Sequence, residues 1–344
     1  MILVTGGAGF IGANFILDWL SLHDEPILNL DKLTYAGNLD NLRGLEGDSR
    51  YIFAHGDIAD SQWVGGLLAL HRPRAIVHFA AESHVDRSID SAEDFVQTNI
   101  VGTFRLLEVA RAYWSRLEGE SAAAFRFLQV STDEVYGSLA SSAAAFREVD
   151  RYQPNSPYAA SKAAADHMVR ASHKTWGLPV LTTNSANNYG PYQFPEKLIP
   201  HMIVAALEGR PMPVYGDGLQ VRDWLYVKDH CRAIRLVLET GRPGETYNVG
   251  SGDGKPNLDV VLAICHLLDE LRPTLELGGY RRLITRVADR PGHDTRYAID
   301  PAKITRELGW KAEQSFESGL RQTVQWYLDN PVWLEAVRAR IHIA

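Results

Sequence analysis

The chain has 344 residues, 45% hydrophobic and 22% charged, with 35 Lys and Arg against 42 Asp and Glu for a formal net charge of −7. That length can bury a large core in one big or two modest domains, and the composition excludes a disordered or fibrous chain. The acidic balance excludes a basic field for nucleic acid, and the two cysteines, Cys231 and Cys265, match no metal-ligand spacing and make no disulfide scaffold. The first stretch carries no charge until Asp18, but it has no basic start and is broken by Gly6, Gly7, Gly9 and Gly12. It therefore reads as neither signal peptide nor membrane span, and a soluble cytoplasmic protein is expected.

Short apolar runs recur at Ile2 to Thr5, Ile27 to Leu30, Tyr51 to Ala54, Ala75 to Phe79, Phe127 to Val130 and Val180 to Thr183. Near-continuous runs of this length suit strands buried on both faces. The stretches between them predict helices over about 11–22, 61–71, 92–115 and 158–176, so the first half reads as a doubly wound α/β fold with a parallel sheet. The last two helices are long and apolar enough to pack a homodimer. Ser138 to Ala145 is a run of small residues, read as a surface insertion. From Asn184 onward Pro191, Pro195, Pro200, Pro211 and Pro213 end the regular alternation and predict a second, smaller, loop-rich α/β substrate domain. The expected division gives 1–183, completed by a segment near 222–248, to the dinucleotide, and 184–221 with 249–344 mainly to the substrate.

The first apolar run leads directly into Gly6-Gly7-Ala8-Gly9-Phe10-Ile11-Gly12 and then an apolar helix. Glycines permit a tight turn and close backbone approach, and the free N–H groups of a helix N-terminus meet a pyrophosphate. Such a pattern is weak evidence alone; its place after the first strand strengthens it. The second run ends at Asp31, where a carboxylate can accept the ribose hydroxyls and repel a 2′-phosphate, so NAD is favoured over NADP. Lys32 follows and partly offsets that repulsion. Asp57-Ile58 suits an adenine edge, although an aspartate there is often a plain helix cap.

Tyr158 and Lys162 lie four apart, with Pro157 suited to a first helical turn, so both face one side. A nearby ammonium favours the phenolate, which lets the tyrosine remove an alcohol proton. Upstream stands Val130-Ser131-Thr132-Asp133-Glu134-Val135-Tyr136-Gly137. On a continuing strand Asp133 and Glu134 would point to opposite faces, so a turn at 132–134 is required if both are to reach one substrate. Two crowded carboxylates then divide into one acid and one base.

These residues resemble the extended short-chain dehydrogenase/reductase superfamily, a Rossmann fold, and within it the dTDP-glucose 4,6-dehydratase family. The resemblance spans nearly the whole chain. It rests on Thr5 to Gly12, Asp31 to Asn38, Ala80 to Ser88, Ser131 to Gly137, Asn187 to Pro200, Arg222 to Val227 and Asp289 to Asp294. Related epimerases usually carry a small residue or serine pair where this chain has Asp133 and Glu134. The departures are Asn184-Ser185-Ala186, Lys228 after the Tyr-Val pair, and a shorter segment after Gly137.

The resemblance implies dehydration of dTDP-glucose to dTDP-4-keto-6-deoxy-glucose with bound NAD. Tyr158, Lys162 and Thr132 would serve C4 oxidation, with Glu134 as the base at C5 and Asp133 as the acid at C6. It implies NAD contacts from Gly6, Gly9, Phe10, Ile11 and Gly12, and from Asp31, Lys32, Thr34, Gly37, Asp57 and Ile58. Further contacts would come from Phe79, Ala80, Ala81, Ser83, Thr98, Tyr158, Lys162 and Asn188. For the nucleotide sugar it implies His84, Thr132, Asn187, Lys197, Leu198, Pro213 and Tyr215, together with Arg222, Asn257, Asp289, Arg290 and His293. Arg222 and Arg290 suit a diphosphate, because guanidinium forks match paired phosphate oxygens. No metal, nucleic acid or membrane partner is expected. The alternatives are a nucleotide-sugar 4-epimerase, a dehydratase acting on a UDP- or GDP-sugar, and an NAD-sensing protein without turnover.

Overall fold

A computed structural model describes residues 1–140, 142–274, 278–289 and 293–341, so Ser141 and Arg290 lie outside the described residues. The strands are β1 (Ile2–Thr5), β2 (Ile27–Asp31), β3 (Tyr51–His55), β4 (Ala75–His78), β5 (Arg126–Thr132), β6 (Val180–Ser185), β7 (Asn187–Tyr189), β8 (Met212–Tyr215), β9 (Val221–Tyr226), β10 (Thr246–Val249), β11 (Gly254–Pro256) and β12 (Ile284–Val287). The helices are α1 (Phe10–Leu22), α2 (Ser61–His71), α3 (Val85–Asp90), α4 (Glu93–Phe95), α5 (Thr103–Trp114), α6 (Gly119–Ala124), α7 (Pro157–Trp176), α8 (Leu198–Leu207), α9 (Val227–Thr240), α10 (Asn257–Leu271), α11 (Ala302–Leu308), α12 (Phe316–Asp329) and α13 (Pro331–Ile341). None is long and apolar enough to cross a membrane.

Side chains on a strand alternate between faces, and the two faces of the main sheet collect separate cores. Ile2 and Val4 of β1 cluster with Phe15, Ile16 and Trp19 of α1 and with Ile234 and Val237 of α9. Leu3, between them, belongs to the opposite layer with Val64 and Leu68 of α2, Leu106 and Leu107 of α5, and Val169 of α7. The sheet has seven strands in the order β10-β6-β5-β4-β1-β2-β3, and every neighbouring pair is parallel. This is the doubly wound arrangement expected. Its order reverses between β1 and β4, which opens a crevice at the carboxyl ends of the strands.

The remainder forms a smaller unit with its own core, drawn from Met202 and Ile203 of α8, Val260 and Ile264 of α10 and Leu320 of α12. Its strands make a three-stranded sheet, β11-β9-β7, and a parallel pair, β12-β8. Within residues 222–248, β9 therefore joins the smaller sheet, and α9 and β10 return to the large one.

One expectation changes. The helix read over 92–115 is α4, then a π-helical stretch over Val96–Gly102, then α5. The wider turns have a structural reason: buried Asn99 accepts the Glu82 N–H and donates to the Glu82 carbonyl and to Ser161 Oγ, each at 2.8–2.9 Å. The small-residue run after Gly137 lies at the surface, with Ser138, Ala140, Ser142 and Ala144 exposed, and is fastened by buried Leu139, whose N–H donates to the Arg296 carbonyl.

Asp229, buried on the first turn of α9, fastens the C-terminal segment to the large domain. Its carboxylate accepts the backbone N–H groups of Glu313 and Gln314 at 3.0 and 2.9 Å, and its carbonyl accepts Trp310 Nε1. Replacing Asp229 with Ala leaves those two donors unpaired, and a loss of about 3 kcal/mol is expected in denaturant unfolding. An unchanged unfolding midpoint would remove this latch from the account.

Candidate active site

β1 ends where α1 begins, and the loop between them has room for backbone alone. A Cβ on Gly12 would stand 2.4 Å from the Gly6 carbonyl oxygen, and one on Gly6, whose φ is +73°, 2.6 Å from the Ala80 nitrogen. Gly9 caps α1 without a side chain, so no side-chain oxygen occupies its first-turn N–H groups. A side-chain-free cradle facing open helix N–H groups fits a dinucleotide pyrophosphate.

The cleft running from this loop is walled by Gly6, Gly9, Phe10, Ile11 and Gly12, and further along by Asp31, Lys32, Thr34, Gly37, Asp57 and Ile58. Phe79, Ala80, Ala81, Ser83, Thr98 and Asn188 continue it to Tyr158 and Lys162. All the residues expected at the dinucleotide thus line one cleft. Asp31 is fixed by the Ala8 and Leu33 N–H groups at 2.8 Å each. Burial pushes its carboxyl up, and those two amides oppose the shift. Lys32 Nζ lies 2.8 Å from Asp57 Oδ2, so its charge is already engaged. Asp57 is not the cap of α2; that position belongs to Asp60, whose side chain accepts the Trp63 N–H.

At the far end the chain does turn after Thr132. β5 passes into a 3₁₀ turn over Asp133–Tyr136, and Thr132 Oγ1 accepts the Glu134 N–H at 3.3 Å. Thr132, Glu134, Tyr158 and Lys162 line the cleft, and Asp133, next to Glu134 in the turn, is buried with Oδ2 lacking a hydrogen-bond partner. Burial pushes the Asp133 carboxyl well up, and the Glu134 and Asp223 carboxylates add to the shift.

Tyr158 and Lys162 stand together at this end of the cleft. Burial raises the Tyr158 phenol, the Glu134 carboxylate raises it further, and a hydrogen bond with Thr132 opposes them. The Lys162 ammonium donates to the Val130 carbonyl at 2.8 Å.

The residues expected at a nucleotide sugar divide. Asn187, Lys197 and Thr132 line the same cleft. His84 caps α3 with Nε2 3.7 Å from Glu196 Oε2, Lys197 Nζ donates to the Ser83 carbonyl at 2.6 Å, and Leu198 opens α8. Pro213, Tyr215, Arg222, Asn257, Asp289 and His293 do not line it; they gather around β8, β9 and the start of α10. There His293 Nδ1 lies 2.6 Å from Asp289 Oδ1. Buried Arg222 lies over the Tyr297 ring at 4.3 Å and donates to the Asp294 carbonyl. Arg222 joins this group to the catalytic end, because its charge acts on Asp133.

Sequence reasoning passed over Glu82 and Glu196, which line the cleft, and Tyr35, whose hydroxyl donates to Glu196 Oε1 at 3.2 Å. Glu82 and Glu196 lie inside motif runs already singled out, and a carboxylate beside His84 or Lys197 was the available signal. Tyr297 offered none.

A family model described as GDP-mannose 4,6 dehydratase matches residues 3–323. A dTDP-glucose 4,6-dehydratase of Xanthomonas campestris pv. campestris (strain B100) is 58% identical over 335 residues, 97% of this chain and 95% of that protein. A solved dTDP-glucose 4,6-dehydratase from Bacillus anthracis str. Ames, in complex with NAD, is similar with a TM-score of 0.86 at 45% identity, covering 98% of this chain and 99% of that one. Another, from Streptomyces venezuelae with NAD bound, gives a TM-score of 0.88 at 45% identity and the same coverage.

The cradle is open to a direct check. Gly12→Ala forces the loop backbone to shift, and dinucleotide affinity measured by calorimetry is expected to fall at least about tenfold, or 1.4 kcal/mol, with circular dichroism unchanged. Wild-type affinity in that variant would show that the loop does not hold the ligand.

Proposed function

The chain belongs to the dTDP-glucose 4,6-dehydratase family, and we infer from that membership and from its site how it carries out NAD-dependent dehydration of dTDP-glucose to dTDP-4-keto-6-deoxy-glucose. The reaction oxidises C4, removes water across C5 and C6 and returns hydride to C6. NAD, when bound, supplies the hydride acceptor at C4 and the donor at C6. The observation that carries the mechanistic reading is the turn after β5, which sets Asp133 and Glu134 side by side next to Tyr158.

On this reading Tyr158 acts as the phenolate, favoured by the positive charge of Lys162 one helical turn away, and takes the C4 hydroxyl proton to become the phenol, with Thr132 as its hydrogen-bond partner. The C4 ketone makes the C5 proton acidic. Glu134 removes it as base, while Asp133, kept protonated by burial and by its acidic neighbours, gives its proton to the departing C6 hydroxyl. Glu134 then returns its proton to C5. The cleft residues from Gly6 to Asn188 would hold NAD. Arg222 and Arg290 would hold the diphosphate, with His84, Asn187, Lys197 and their companions around the sugar and nucleoside.

The domain reading follows the same division: 1–183 with a segment near 222–248 for NAD, and 184–221 with 249–344 mainly for the nucleotide sugar. We also propose a cytoplasmic homodimer packed through the helices near 92–115 and 158–176. Val96, Phe104 and Trp176 support the interface, since all three apolar side chains are more than 40% exposed on those helices. Both cysteines are free and buried, which suits a reducing compartment.

Turnover of dTDP-glucose in deuterated water, followed by NMR and mass spectrometry, separates the two carboxylates. Glu134→Gln should lose deuterium incorporation at C5, and Asp133→Asn should keep exchange at C5 while water loss slows by about 10²–10⁴. Equal loss of both signals in the two variants would contradict the assignment. A raised acid keeps its proton to higher pH and loses it as pH climbs through the raised value, so water loss should decline on the alkaline side. For the interface, Phe104→Glu should shift the sedimentation coefficient from dimer to monomer; a dimer that persists would place the contact elsewhere.

A further inference from the structure

Tyr158, Lys162 and Asp166 recur at four-residue steps along α7, so they stand one above another on a single face of the helix. All three are buried. The mechanism uses the first two and leaves the third unexplained. Asp166 Oδ2 accepts a hydrogen bond from Ser131 Oγ at 2.6 Å, and Tyr152 and Gln129, neither of them cationic, also hydrogen-bond toward the carboxylate. A carboxylate held this deep costs stability unless a positive charge answers it.

The positive charge available is Lys162. Burial pushes the Lys162 ammonium down and Asp166 pulls it back up; burial pushes Asp166 up to about 6 and Lys162 pulls it down. The other titratable groups around the pair leave this balance alone. His78, from β4, is pushed down by burial to about 3 and is neutral. Tyr136 from the turn after β5, Tyr152 from the segment before α7, and Tyr158 are phenols that burial pushes up. Asp133 is pushed well up by burial and its acidic neighbours, Glu134 serves as the base on the reading above, and His167 lies in tilted ring contact with Tyr152. Among these groups Asp166 is the carboxylate that the proposed mechanism does not use, one helical turn from Lys162.

We propose that Asp166 is a positioning residue for the dehydration, its carboxylate serving as the counter-charge that keeps the Lys162 ammonium in place and charged beside Tyr158. The proposal rests on the reading of Lys162 as a partner of Tyr158 in proton transfer. It acts through Lys162, since Asp166 does not line the cleft.

Asp166→Asn keeps a polar group of the same shape for Ser131 and removes the charge. The alkaline limb of kcat should move to lower pH by at least about one unit, a tenfold loss on that limb, with KM little changed. Ser131→Ala breaks the hydrogen bond but keeps the charge, and its alkaline limb should stay where the wild type has it. A second measurement needs no turnover. Lys162→Met leaves Asp166 buried without its partner, so this variant should lose stability as pH rises through the raised Asp166 value; Lys162→Met/Asp166→Asn should regain it. A double variant no more stable than Lys162→Met near pH 8, or an unmoved limb in Asp166→Asn, overturns the proposal. Coupling in the unfolding cycle combined with an unmoved limb locates the failure in the catalytic reading of Lys162; absence of coupling locates it in Asp166.

Discussion

An extended strand would have separated Asp133 from Glu134, and the site depends on the backbone abandoning that geometry after Thr132. Thr132 Oγ1 takes the Glu134 N–H and starts the turn, and Gly137 ends it with a φ of +88°. A Cβ at Gly137 would stand 2.2 Å from the Gln153 carbonyl oxygen, so the exit from the turn admits only glycine. Two adjacent carboxylates thereby share a corner next to α7, Glu134 at the cleft and Asp133 more deeply buried. On the proposed mechanism the proton donor and acceptor roles follow from depth of burial, without any difference in side-chain chemistry between a short and a slightly longer acid.

Much of this was legible in the residues. Strands buried on both faces leave an uninterrupted apolar record, and β1 to β6 begin within a residue of where those runs begin. The glycine loop and Asp31 were legible because their chemistry demands particular residues at particular places. Other features leave no local trace. The π-helical turns at Val96–Gly102 depend on Asn99 reaching Glu82 and Ser161, partners far away in sequence. The upward push on the Tyr158 phenol comes from burial and from Glu134, which spacing along one helix cannot report. Arg222 could be read as an isolated guanidinium; its position over Tyr297, and its action on Asp133, exist only after the smaller sheet has formed.

One interior thus treats acids and bases differently. Exclusion of water raises Asp133, Asp31 and Asp166 and lowers His78 and Lys162, in each case toward the uncharged form. Local partners decide where each group stops. Two amides restrain Asp31, whereas Asp133 has acidic neighbours and one unpartnered oxygen. One carboxylate is thus fixed by backbone amides beside the glycine loop, and another, beside Glu134, is pushed toward its uncharged form by burial and acidic neighbours.

The π-helical stretch also sets a phase relation. α4 and α5 look like one continuous rod, but the wider turns between them rotate the second helix relative to the first, away from the alignment that 3.6 residues per turn would give. Thr98 faces the cleft from within that stretch while Phe104, six residues on, faces outward. Insertion or deletion of a single residue there would be absorbed by relaxing the wide turns toward ordinary α-helix, at the expense of the angular offset between the inner and outer faces. This segment is consequently a point at which chain-length variation would alter the lining of the cleft and the exposed face of α5 together, while the hydrophobic layers above and below the sheet stay as they are.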